Sequence, residues 1–123
     1  MELHYSTGKQ LSPKAAEFVQ FDVDSIRQVV AGRHGTMPRY WLADPEQYEQ
    51  NGRPLRDSSS PRLLAYSPED QILYTNDGCN SCTHVLNEDL SRVSPERIRT
   101  LGTENTIAET LLTRMAEIVA GKR

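Results

Sequence analysis

Hydrophobic positions recur with two different periods along this chain, and the helical one is clearest near the C-terminus. Ile107, Leu111, Met115 and Ile118 repeat at three- and four-residue spacing, with Ala108, Leu112 and Val119 on one flank and Glu109, Arg114 and Glu117 elsewhere. Thr106 followed by Glu109 matches a capping box, so the spacing predicts a helix from about residue 106. Ser94-Pro95-Glu96 joins a hydroxyl acceptor to a proline with a preset φ, and Gly102 supplies a stop, bracketing a shorter helix. Ser12-Pro13 opens another, from Pro13 to about Val19, carrying Ala15, Ala16, Phe18 and Val19. Asp22 or Asp24 then caps a second N-terminal helix with Ile26, Val29 and Val30, ended by Gly32. Asp44-Pro45-Glu46 starts about two turns that Asn51-Gly52 stops.

The middle of the chain reads as strand. Leu63-Leu64-Ala65-Tyr66 and Ile72-Leu73-Tyr74-Thr75 flank a Pro/Asp turn, and Thr83-His84-Val85-Leu86 returns after Asn76-Asp77-Gly78. Shorter strand candidates are Met1 to Tyr5 and the aromatic-rich Arg39 to Ala43. The fold class these elements predict is α+β: a small antiparallel β-meander over about 63–86, packed against N-terminal and C-terminal helices. The C-terminal apolar stripe needs a surface to cover, and one face of the meander is the economical choice. A stretch of 123 residues suits one domain, 1–123, in which the polar, serine-rich stretch at about 53–62 reads as the mobile loop.

Composition narrows the class further. Leu, Ile, Val and Phe make up about a fifth of the chain, and a mean hydropathy of -0.62 with seven prolines predicts a thin core. Fourteen Lys+Arg against seventeen Asp+Glu leave a formal charge of -3, which removes the excess of positive charge that generic nucleic-acid binding rests on. The first residues lack a basic stretch followed by an apolar run, and no run of about eighteen apolar residues occurs, so neither a signal peptide nor a membrane span is expected. Two cysteines cannot build a multi-bridge secreted framework, and a reducing cytoplasm is the expected location.

The chemically loaded segment is Cys79-Asn80-Ser81-Cys82, with His84 two residues on. Two-residue spacing lets both sulfurs face one ion or close a small disulfide. A structural zinc site normally takes four ligands, and the further candidates, His34 and His4, are distant in sequence. A thioredoxin-type centre needs its first thiol at a helix N-terminus, whereas strand follows Cys82. Haem attachment fails because Thr83 intervenes before His84. A thiol hydrolase would pair Cys79 or Cys82 with His34 or His84, oriented by an Asp or Asn. Set against all of these is the bland alternative of two loop thiols packed as small apolar groups.

Arg53, Arg56 and Arg62 flank the serine-rich loop, and Glu69, Asp70 and Asp77 stand at the hairpin turns. Planar guanidinium donors grip acidic groups, and turn carboxylates can imitate an anionic substrate. Trp41 is expected in the core rather than as a stacking platform. The leading functional expectation is a protein-binding module of inhibitor, immunity or antagonist type, occluding another protein with Arg53, Arg56, Arg62, Glu69, Asp70 and Asp77. The alternative is a metal- or thiol-dependent protein centred on Cys79, Cys82 and His84, with zinc as its cofactor. A second alternative is a nucleotide or nucleic-acid binder using Arg39, Tyr40, Arg53 and Arg56. The sequence leaves the partner's identity and the oligomeric state open.

Overall fold

The computed structural model describes residues 2–49, 61–77, 83–102 and 106–121. Among these residues nine elements follow in order: β1 (Glu2–Tyr5), α1 (Pro13–Gly32), β2 (Tyr40–Ala43), α2 (Pro45–Glu49), β3 (Leu63–Ser67), β4 (Ile72–Asn76), β5 (Thr83–Asn87), α3 (Pro95–Leu101) and α4 (Thr106–Val119). The strands form one sheet in the order β1-β2-β3-β4-β5. The meander is present as predicted, and the α+β class holds. The unpredicted feature is a parallel pair: β1 runs beside β2, with Leu3 opposite Trp41, and α1 makes the crossover that parallel strands require.

The two expected N-terminal helices are a single helix of 20 residues. Asp22 caps nothing; it lies inside α1, fully buried, within the stripe formed by Ala15, Val19, Val23, Ile26 and Val30. The start is as expected: the Ser12 hydroxyl accepts the Ala15 N–H at 3.1 Å, ahead of Pro13. At the opposite end of the chain, Ser94 repeats the device for α3, accepting from Arg97 N–H at 3.1 Å. Gly102 ends α3 and lets α4 approach closely, since a Cβ there would sit 3.2 Å from the Glu109 backbone nitrogen.

Strand alternation sends side chains to two cores. Trp41, Ala43, Leu63, Ala65 and Tyr74 pack beneath α1, together with Tyr48 of α2. Leu42, Leu64, Tyr66 and Leu73 face the other way, against Leu90, Ile98 of α3 and Leu111, Leu112, Met115 and Ile118 of α4. Helices therefore cover both faces of the sheet. Among the described residues, none of the helices is long and apolar enough to cross a membrane.

The β3–β4 turn holds one strained position. Gln71 adopts φ 53°, a region that disfavours side chains with a Cβ. Gln71→Gly is expected to stabilise the fold by roughly 0.5–1 kcal/mol, the relief of left-handed strain less the entropy of glycine. A raised urea midpoint with an unchanged slope would register it; an unchanged or lowered midpoint would show that the turn carries no such strain.

Candidate functional site

Strand register assembles one candidate site from residues that the sequence singles out. Thr75 stands opposite His84, and Leu73 opposite Leu86, so Thr75, Asp77, His84 and Leu86 occur at alternate positions and turn towards the α3–α4 side. There they line a groove of about 290 Å³ with Pro61, Leu101, Ala108 and Leu112. Ala108 and Leu112 are buried at its floor, while the His84 side chain is 61% exposed and marks the rim. β5 is the outermost strand of the sheet, with no neighbour on its far side among the described residues.

Asp77 and His84 belong to separate sequence-based hypotheses, but the fold brings them together. His84 Nε2 lies 3.3 Å from Asp77 Oδ2, and the Asp77 side chain is only 17% exposed. Burial raises the Asp77 carboxyl above its ordinary value of 3.8, and the His84 contact pulls it back part of the way. Ionising a carboxyl whose folded value is raised opposes folding. The penalty is absent below about pH 3.8 and grows as pH rises through the raised value. Asp77→Asn is therefore expected to be more stable than the parent chain at pH 7, an advantage that fades as pH falls towards 3.8. Urea denaturation across that range tests the sign; a variant less stable at pH 7 would mean that the His84 contact outweighs burial.

No family model, curated protein or solved structure matches this chain at a significant level.

The remaining sequence candidates separate into three groups. Arg53, Arg56, Cys79 and Cys82 lie outside the described residues, as does all of the serine-rich loop except its end at Pro61 and Arg62. Glu69 and Asp70 are at the turn, as expected, but both have partners within the chain. Glu69 pairs with Arg39, and Asp70 accepts from the Thr36 N–H at 2.7 Å and from the Thr36 hydroxyl at 3.2 Å. These contacts pin the segment after α1 to the hairpin. They also engage Arg39, one of the residues expected of a nucleotide binder. His34, in contrast, is exposed at φ 55° just beyond α1. Among the described residues, His, Asp and Glu side chains nowhere gather in threes to hold an ion.

The clearest reassignment is Arg62. Expected at an exposed loop, its side chain is 3% exposed and donates from Nε to Asp22 Oδ2 at 2.7 Å. The Tyr48 hydroxyl donates to the same oxygen at 2.5 Å, and the guanidinium stacks 4.5 Å from the Tyr48 ring centroid. Burial, reinforced by the Asp22 charge, pushes the Tyr48 hydroxyl well above its ordinary value, so it stays a donor. A buried arginine cannot grip a partner. One signal for this arrangement was legible: an aspartate inside an apolar helical stripe requires a buried donor. Trp41, in turn, is 1% exposed and donates from Nε1 to the Pro38 carbonyl at 3.0 Å, the core role expected of it.

Proposed function

We propose that this chain is a protein-binding module of inhibitor, immunity or antagonist type, which occludes a partner protein through the groove between β4–β5 and α3–α4. The observation that supports the reading is the anatomy of that groove: an apolar floor of Ala108 and Leu112 beneath a rim carrying His84 and Asp77. Protein interfaces combine a desolvated apolar centre with a polar margin in the same way. The outer edge of β5 adds backbone donors and acceptors of the kind a partner strand can pair with. Mechanistically, a partner side chain enters the groove while the surrounding contact shields the partner's own working surface.

The test is capture from the source cells with the parent chain and with His84→Glu, which places a like charge beside Asp77 at an exposed position and leaves the floor intact. A partner recovered in stoichiometric amount by the parent chain and lost by the variant supports the reading, provided the bound partner also loses its activity. Equal recovery by both chains, or recovery of chaperones alone, overturns it.

A second reading has one observation in its favour. Asp77 and His84, 3.3 Å apart, flank in sequence the segment that carries Cys79 and Cys82. Two thiolates, an imidazole and a carboxylate are donors that zinc accepts. Elemental analysis of purified protein discriminates the two readings: about one zinc per chain, released by Cys79→Ser with Cys82→Ser, favours the metal-dependent reading.

A further inference from the structure

The buried Asp22–Tyr48–Arg62 cluster lies on the α1 side of the sheet and the groove on the α3–α4 side, yet one residue belongs to both neighbourhoods. The Arg62 side chain enters the cluster, whereas its backbone N–H donates to the Asn76 carbonyl at 2.9 Å and its own carbonyl accepts from the Asp44 N–H at 3.0 Å. Its preceding neighbour, Pro61, lines the groove; the residue after Asn76 is Asp77, at the rim. Proline has a fixed φ and no N–H, so Pro61 cannot be held by a hydrogen bond of its own backbone nitrogen. Its covalent neighbour Arg62, by contrast, is anchored through both its backbone and its side chain. The guanidinium reaches Asp22 through two nitrogens, Nε at 2.7 Å and Nη2 at 3.3 Å, which fixes a direction as well as a distance. Aliphatic side chains could fill the same volume, but they would leave that direction unset.

We propose that Asp22, Tyr48 and Arg62 are positioning residues for the groove, setting from the far face of the sheet where Pro61 and Asp77 stand. The proposal rests on the groove being the binding surface, and it identifies what holds that surface ready. Coupling of this kind is reciprocal: a change at the rim must be felt in the cluster, and a change in the cluster at the rim.

Amide and arginine side-chain NMR spectra of the full chain test it without any partner. Tyr48→Phe removes one hydrogen bond from Asp22 and keeps the ring. Its expected result is displacement of the Asn76, Asp77 and His84 amide signals, in addition to those of α1 and α2. From the other side, His84→Glu is expected to shift the Arg62 Nε–H signal, and this arm leaves the cluster chemically intact should Tyr48→Phe fold poorly. Perturbations of Tyr48→Phe confined to α1, α2 and Arg62, or an unmoved Arg62 Nε–H in His84→Glu, overturn the proposal. Neither spectrum depends on capture of a partner, so failure of the coupling and failure of the binding reading are separately visible.

Discussion

Arg62→Ala is expected to destabilise the protein by about 3–5 kcal/mol, because it strands the Asp22 carboxylate without its cation in a fully buried position. Removing one partner of a buried ion pair forfeits the attraction and leaves the desolvation cost of the other. Replacing the whole cluster is a different experiment. Asp22→Leu, Tyr48→Phe and Arg62→Met together remove both charges and the orphaned hydroxyl, and the combined variant is expected to lose far less than Arg62→Ala alone. Urea unfolding followed by Trp41 fluorescence measures both. If the single variant stays within about 1 kcal/mol of the parent chain, the pair is not dry and the account of Arg62 fails.

The second large effect is expected at Trp41. The indole is 1% exposed beneath α1 and is the single tryptophan of the chain, so Trp41→Ala removes the largest side chain of that core and leaves a cavity. The expected cost is about 3–5 kcal/mol, from lost transfer free energy plus incomplete collapse around the void. Trp41→Phe is expected to cost less: it keeps most of the apolar volume but leaves the Pro38 carbonyl without the indole N–H. Unfolding of these variants can be followed by circular dichroism, since the fluorophore is gone. A Trp41→Ala protein as stable as the parent chain would contradict a core role. The two predictions concern separate contacts on one face of the sheet: Trp41 contributes apolar burial, and Arg62 contributes direction.

Local elements were legible wherever a short-range rule governs them. The helix starts at Ser12-Pro13 and Ser94-Pro95 and the stop at Gly102 are where capping chemistry puts them, and Leu111, Met115 and Ile118 form the α4 stripe that periodicity predicts, whereas Ile107, expected in it, is 39% exposed and Ala108 and Leu112 are buried instead. The three strands of the meander also follow from sequence, because apolar runs separated by turn formers have few other uses. At α1 the expected break is missing because Asp22 lies buried inside the helix and does not cap one. Aspartate is a common cap, and its buried role depends on Arg62, forty residues away, which no local pattern reports.

The candidate site divides along the same line. The β4–β5 hairpin could be read from the sequence; the register that puts Thr75 opposite His84, and so sets Asp77 on the neighbouring diagonal, could not. That they rim an apolar groove could not, since its other wall, Leu101, Ala108 and Leu112, arrives from helices whose placement is not encoded in strand alternation.

By itself, then, the sequence determined the periods, caps and turns, because each depends on residues a few positions apart. Only the tertiary structure decided that β1 pairs in parallel with β2, that Glu69 is engaged by Arg39 and Asp70 by Thr36, and that Arg62 faces inward to Asp22. The β1–β2 pairing and the exposed Glu69 and Asp70 contacts depend on which distant segments the fold sets side by side, and the Arg62–Asp22 pair on which distant groups are desolvated together. The free energy of a charge is set by that environment and not by its neighbours along the chain.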